Sequence, residues 1–312
     1  MKKIKIALIG VGHLGAYHLK NLSELSQTVE IVGVCDTKPE RTQKLASHYN
    51  VPFFENYKEL AGKVDAVDIC VPTEFHHKIG KFFLEQKIHT FIEKPIATTL
   101  EQAKELTQIA QKNDVKLQIG HIERFNTAFE SIKHFTSQPL FIECHRLNPF
   151  PNRSLDIGVV MDLMIHDIDI ILGIVPSKIK DIQAVGINVL TPLEDIANVR
   201  LTFENGCVCN LTASRVSEEV MRKIRIFQPN SYISLDYQKQ EAFIYKKNGL
   251  QILKHSLPIE KEQPLKRELE HFIECIQQNK RPIVSGQEGC AALEVALAIS
   301  DQITQTRKKF TT

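Results

Sequence analysis

Apolar runs alternate with amphipathic stretches of helical length through roughly the first 120 residues of the chain. Residues 3–9, 30–35, 66–71, 89–92 and 116–119 read as buried strands. Between them, residues 13–25, 39–49, 74–85 and 100–113 carry apolar positions at helical spacing. The short segment 52–54 reads as an added edge strand. Strict alternation of apolar strand and helix predicts an α/β fold with a parallel, doubly wound sheet.

The pattern changes after about residue 123. Residues 140–147 read as a strand and 159–174 as one helix, running through the charged stretch His166-Asp167-Ile168-Asp169. Then come period-two segments at 181–189, 197–203, 208–214, 223–227, 232–236 and 242–245. Asn205-Gly206 and Lys247-Asn248-Gly249 are turn signals. Short connections and strict alternation predict an open, mostly antiparallel sheet with one buried face. Helices at 265–279 and 288–306 close the chain. The expected organisation is a nucleotide-binding domain over 1–122 and an α+β domain over 123–312, with the C-terminal helix free to pack back on the first.

Charge and composition narrow the function. The net charge of +2, with Lys and Arg scattered, excludes bulk electrostatic binding of nucleic acid. The basic cluster Arg307-Lys308-Lys309 reads as a helix end complementing the dipole. No apolar stretch is long enough for a membrane span. Met1-Lys2-Lys3 precedes a β-branched run that stops at Gly10 and leads to a glycine motif, not to a cleavage site, so a first strand and a cytoplasmic protein are expected. The cysteines at 35, 70, 144, 207, 209, 275 and 290 show no framework spacing. The only close pair, Cys207 and Cys209, has no second pair nearby, so no metal site is expected.

Candidate chemistry begins at Gly10-Val11-Gly12-His13-Leu14-Gly15, which follows the first strand and opens the first helix. Gly10 permits the tight turn, Gly12 lets a pyrophosphate approach the backbone, and Gly15 lets helix and strand pack closely. The helix N-terminus offers N–H donors and the positive end of a dipole. Asp36 ends the second strand, where a carboxylate accepts hydrogen bonds from ribose hydroxyls and repels a 2′-phosphate. That favours NAD; Thr37, Lys38 and the nearby Arg41 leave NADP open. Asp36 also suits the start of the helix at Pro39, and the two readings are compatible. Another strand exit, Cys70-Val71-Pro72-Thr73-Glu74-Phe75-His76, places Thr73 as a helix N-cap. His76, one turn in, reads either as a site residue or as a helix-packing histidine.

The second group of candidates carries proton chemistry. Lys94 stands at the strand exit Glu93-Lys94-Pro95, and ligands of open parallel sheets bind beyond the carboxyl ends of the strands. The competing reading is a surface lysine at a loop start. In Asp162-Leu163-Met164-Ile165-His166-Asp167-Ile168-Asp169, Asp162 and His166 fall at i and i+4 of a helix, where a carboxylate can orient an imidazole. Apolar neighbours leave little solvent-facing helix and favour a buried, paired histidine over an ordinary surface pair.

Together the fingerprint, Pro72-Thr73-x-x-His76, Glu93-Lys94-Pro95 and Asp162-x3-His166-x2-Asp169 resemble the glucose-fructose oxidoreductase, inositol dehydrogenase and rhizopine-catabolism family over nearly the whole chain. Gly120-His121-Ile122-Glu123-Arg124-Phe125-Asn126 and the helix from Val159 are similar to its bacterial nucleotide-sugar 3-dehydrogenases, the UDP-N-acetylglucosamine group among them. Thr127, where relatives usually have proline, and the reduced approach Asp156-Ile157-Gly158 depart from that pattern near the expected sugar site. The resemblance implies a Rossmann domain, a second domain on an open sheet that forms a homodimer or homotetramer contact, and a cis Lys-Pro bond. It implies an NAD(P)-dependent dehydrogenase of a sugar or nucleotide-sugar hydroxyl. Its implied cofactor contacts are Gly10, Gly12, His13, Leu14, Gly15, Asp36, Thr37, Pro72, Thr73, His76, Glu93 and Lys94. The implied catalytic group is Lys94, His166 and Asp162, with His166, Arg124, Asn126 and Arg153 as substrate contacts, Arg being suited to a diphosphate. Either His166 takes the hydroxyl proton while Lys94 stabilises the alkoxide, or Lys94 takes it. Two other functions fit the same scaffold: a dehydrogenase of a free sugar, inositol or related polyol, and a non-catalytic NAD(P)-binding sensor.

Overall fold

The computed structural model describes residues 2–150 and 157–310, with side chains to residue 307. The chain divides into two compact units, one of residues 1–122 and 263–290, the other of 123–262 and 291–312.

In the first unit the predicted alternation forms β1 (Ile4–Ile9), α1 (His13–Glu24), β2 (Val29–Cys35), α2 (Pro39–Tyr49), β3 (Phe53–Phe54), β4 (Ala66–Ile69), α3 (Thr73–Glu85), β5 (His89–Glu93), α4 (Leu100–Lys112) and β6 (Leu117–Gly120). The strands lie in the order β3-β2-β1-β4-β5-β6. All pairs are parallel. This is the doubly wound dinucleotide-binding order, whose ligand crevice lies outside the carboxyl ends of β1 and β4, where the strand order reverses. The strands are apolar because both faces are covered: Ile6, Leu8, Val34, Val67 and Phe91 are all fully buried.

The second unit holds α5 (Thr127–Ile132), β7 (Phe141–Leu147), a π-helical turn (Val160–Met164), α6 (Ile165–Ile174), β8 (Ile179–Ile187), β9 (Ile196–Phe203), β10 (Val208–Ser214), β11 (Met221–Gln228), β12 (Ser231–Asp236), β13 (Glu241–Asn248) and β14 (Gln251–Ser256). Its sheet runs β14-β13-β12-β11-β7-β10-β9-β8. Only β7 and β10 pair in parallel. One face forms the core, through residues such as Ile142, Leu211, Ile224, Ile233 and Ile244. The other face carries an aromatic row in which Phe141, Phe227, Tyr232 and Tyr245 stack in sequence at centroid separations of 5.6, 5.3 and 4.2 Å. Of the closing helices, α7 (Pro264–Gln277) belongs to the first unit, where Leu269, Phe272 and Ile273 pack with Ile6 and Phe91. The last, α8 (Gly286–Phe310), begins in the first unit and continues in the second. Among the described residues, no helix is long and apolar enough to cross a membrane.

Candidate active site

The fingerprint loop is shaped by close backbone packing. Gly10 has φ +92°, and a Cβ there would lie 2.6 Å from Cys70 O and 2.9 Å from Val71 N. A Cβ at Gly15 would collide with Gly10 O, so the α1–β1 approach needs a bare backbone. At Gly12 the demand is different, since a Cβ meets no protein atom within 4 Å. Gly12 sits at the α1 N-cap with no side-chain cap, and no acid lies in the first turn. His13 and Leu14 follow, both exposed. The helix therefore presents uncapped N–H donors and a positive dipole end, the chemistry a pyrophosphate requires.

Asp36, at the end of β2, is held from three directions. Its Oδ2 accepts from Val11 N at 2.8 Å and from Arg41 Nη2 at 3.0 Å, and its Oδ1 accepts from Lys38 N at 3.0 Å. Partial burial works against the charge, but these donors prevail and hold the carboxyl below its ordinary range. A carboxylate tied to the fingerprint backbone at Val11 is placed to accept ribose hydroxyls. Thr37 beside it is exposed.

At the exits of β4 and β5 the structure sharpens several expectations. The Lys94–Pro95 bond is cis, and Lys94 is partly exposed at the carboxyl end of β5. Pro72 is the N-cap of α3, so Thr73 is its first helical residue and not the cap. His76 is a packing histidine: its Nδ1 lies 2.8 Å from Pro95 O and its Nε2 2.8 Å from Val71 O. Both ring edges are thereby committed to backbone, joining the two strand exits, and the ring is not presented to a cofactor. Burial pulls its pKa below the ordinary value against the pull of the two carbonyls. Glu93 also turns inward. Its Oε2 accepts from Lys94 N at 3.1 Å, and its Oε1 lies 3.1 Å from His18 Nε2.

That contact belongs to a buried polar group of His18, Asp68, Cys70 and Glu93. His18 on the inner face of α1 and Asp68 within β4 are both fully buried, with Nδ1 and Oδ2 2.9 Å apart. Cys70 Sγ donates to Asp68 Oδ1 at 3.4 Å. A sequence signal for it exists: Asp68 is a lone carboxylate in an otherwise apolar strand, and such a group needs a partner.

In the second unit the segment expected to be one helix is helical throughout residues 159–174, but it opens with a π-helical turn. The π-helical turn holds Asp162, and α6 begins at Ile165 and holds His166. The loop before β9 shapes the entry: Val159 N donates to Glu194 O at 2.9 Å and Val160 N to its Oε1 at 3.3 Å, and a Cβ on Gly158 would collide with that carboxylate. A wider turn presents side chains that a regular helix would not, and π-turns concentrate at functional sites. Asp162 and His166 are both partly exposed, so His166 is less buried than the apolar spacing predicted.

The acids on either side of that exposed face are structural. Asp167 grips Arg146 on β7 through Nε at 2.9 Å and Nη2 at 2.8 Å, and Glu123 takes Arg146 Nη1 at 2.8 Å. Asp169 does the same to Arg124, through Nε at 2.6 Å and Nη2 at 3.0 Å. Arg124 also donates to Asp169 O at 2.7 Å and packs on Gly173. The fork expected to hold a diphosphate is thus buried in an ion pair. Asn126 is likewise committed: its Oδ1 caps α5 at Ala128 N at 3.1 Å, while its Nδ2 donates to Tyr237 O at 3.1 Å and to Glu123 Oε2 at 3.3 Å. Both residues frame the helix instead of facing outward. Arg153 and Asp156 lie outside the described residues.

Comparison with known proteins draws these features together. Residues 4–121 match the oxidoreductase family with an NAD-binding Rossmann fold, and residues 118–228 match the GFO/IDH/MocA C-terminal domain. The UDP-N-acetylglucosamine 3-dehydrogenase of Acidithiobacillus ferrooxidans is 34% identical, over 96% of this chain and 98% of its own. The chain belongs to the GFO/IDH/MocA oxidoreductase family. A solved structure of that Acidithiobacillus enzyme superposes with a TM-score of 0.92 at 33% identity, over 97% of this chain and 98% of the other. The scyllo-inositol dehydrogenase of Lactobacillus casei, solved with NAD(H) and scyllo-inositol, has a similar fold, with a TM-score of 0.83 at 21% identity over 98% of each chain. The NAD-binding character of the family fits the uncapped α1 terminus, the open space over Gly12 and the fixed Asp36.

Proposed function

We propose that the protein is a dehydrogenase of a nucleotide sugar, oxidising the C3 hydroxyl of UDP-N-acetylglucosamine with NAD as cofactor. The observation that carries this reading is Lys94, partly exposed at the carboxyl end of β5 on the same sheet edge as the fingerprint loop. The substrate follows the name of the 34% identical relative that spans the chain.

NAD, when bound, supplies the hydride acceptor. His166, oriented by Asp162, takes the hydroxyl proton, and Lys94 donates a hydrogen bond to the same oxygen as alkoxide character develops. Arg153 is the arginine proposed for the diphosphate, since Arg124 is held by Asp169. The fixed Asp36 carboxylate selects NAD over NADP. A reducing, cytoplasmic setting goes with the free cysteines. The aromatic row on the open sheet face is proposed as the surface through which copies of the chain associate, because an apolar patch of this kind needs cover.

The test is NADH formation by the purified protein with NAD and, separately, UDP-N-acetylglucosamine, free N-acetylglucosamine, hexoses and inositols, with the product examined for a C3 ketone. Turnover confined to the nucleotide sugar supports the reading. Turnover confined to a free polyol would contradict the substrate, and NAD binding without turnover on any of them would favour a sensor.

A further inference from the structure

The buried group beneath the fingerprint helix ends on the backbone of Lys94. From the inside outward it runs Asp68 on β4, His18 on α1, Glu93 at the end of β5, then the N–H of Lys94. His18 and Asp68 are fully buried and Glu93 is 8% exposed. His18 Nδ1 is 2.9 Å from Asp68 Oδ2, and its Nε2 is 3.1 Å from Glu93 Oε1. The second contact is one of charge, its N–H not aimed squarely at the oxygen.

Ionised carboxylates only accept hydrogen bonds. A neutral imidazole would turn a bare nitrogen toward one of these two oxygens and leave two buried negative charges without a counter-charge on the ring. A doubly protonated ring answers both. We propose that His18 is a positioning residue: an imidazolium clamped between Asp68 and Glu93, which fixes the Glu93 carboxylate against the Lys94 backbone and so sets where the lysine stands. The proposal rests on the reading that Lys94 meets the hydroxyl being oxidised.

Neighbouring elements confine the Glu93 carboxylate and the His18 ring. A Cβ on Gly120 would lie 2.7 Å from the Glu93 carboxylate, so β6 closes one side of it. Phe91 packs its edge against the His18 ring at a centroid distance of 5.7 Å. The ionisable groups facing the ring are Asp68, Cys70 and Glu93. Burial alone would strip the ring of its proton, but the charge of Asp68 prevails and raises the His18 pKa well above the ordinary value. Burial would also favour neutral Glu93, yet His18 and then Lys94 hold its carboxyl below the usual range. Because His18 lies on the helix whose N-terminus forms the fingerprint, the ladder ties the cofactor-binding turn to the catalytic lysine.

The experiment has an arm that does not use activity. In the full-length protein with NADH bound, ¹⁵N shifts of the His18 ring should report protons on both nitrogens from pH 7 to 8. A ring with one bare nitrogen overturns the proposal. So does a stoichiometric transition metal in the purified protein, since His18, Asp68 and Cys70 bring donor atoms within 4.8 Å of one another.

In the kinetic arm, His18→Gln should lower kcat about tenfold to a hundredfold, the scale of a small misplacement of a reacting group, with NADH affinity within about twofold. Adding Glu93→Gln, which removes the one of the two uncompensated carboxylates that bears on Lys94, should recover part of that loss, a rescue that general loosening of the fold would not give. Wild-type kcat in His18→Gln overturns the proposal, and if that variant does not fold the ¹⁵N measurement decides. Lys94→Ala separates the two readings: full turnover there sinks the role of Lys94, while the ring's protonation stands as measured.

Discussion

Arg124 and Asp169 form a buried two-point ion pair, with Nε 2.6 Å from Oδ2 and Nη2 3.0 Å from Oδ1. The arginine side chain is 10% exposed and the aspartate 2%. Removing one partner leaves the other charged and buried, which costs about 3–5 kcal/mol. Arg124→Ala should therefore lower unfolding stability by about that amount in urea titration. Arg124→Lys should recover little, because a single ammonium cannot reproduce the fork. A stable Arg124→Ala protein that has lost only substrate affinity would return this arginine to the substrate site.

Gly12 and Gly15 should fail in different ways. The backbone at Gly12 has φ −63°, and an added methyl meets no protein atom, so Gly12→Ala should fold with stability within about 1 kcal/mol of wild type. It should lose NADH binding, measured by fluorescence titration, because the methyl occupies the approach of the pyrophosphate. At Gly15 the methyl strikes Gly10 O, so Gly15→Ala should damage the fold itself. Equal NADH affinity in Gly12→Ala and wild type would contradict the pyrophosphate placement.

Asp36→Ala removes the acceptor for the ribose hydroxyls and the repulsion of a 2′-phosphate. The ratio of kcat/KM for NAD over NADP should fall by about tenfold to a hundredfold, the value of hydrogen bonds to a charged group. An unchanged ratio would separate Asp36 from cofactor choice.

Asp195 offers a pH prediction in the loop that shapes the π-helical turn. It is fully buried. Its Oδ2 accepts from the backbone of Val189, Leu190 and Thr191 at 2.7, 2.6 and 2.9 Å, and its Oδ1 from Arg215 Nε at 2.8 Å. Burial opposes the charge, but these donors hold the carboxyl well below the usual range. Since the folded pKa is the lower one, the stabilisation is fully present above the ordinary carboxylate value of about 4 and is lost as pH falls toward the folded pKa. Urea midpoints between neutral and acid pH should fall less steeply in Asp195→Asn than in wild type. Parallel slopes would contradict this.

Much of the first unit was legible because its signals are local. Apolar runs, helical spacing and the Gly10, Gly12, Gly15 and Asp36 set point to a parallel, doubly wound sheet and its cofactor edge without distant information. The strand β14 was not, since every residue of it is exposed and no buried face marks its period. Pairings across long separations were illegible for a different reason. Nothing near Arg124 announces Asp169, which lies 45 residues on, so a buried fork looked like an open one. The π-helical turn escaped because Glu194, far along the chain, sets its entry. His18 left a faint trace, three residues past Gly15 on the buried side of α1 with Leu19 and Leu22. Its meaning required Asp68 and Glu93 to be brought beside it.

The account turns on Lys94, and one variant tests it. Lys94→Ala should still bind NADH, with any loss of affinity small beside the loss of turnover of UDP-N-acetylglucosamine by about a hundredfold to a thousandfold, the value of one donor to a developing oxyanion. Turnover within about tenfold of wild type, with NADH binding intact, would contradict a catalytic role for the lysine at the end of β5.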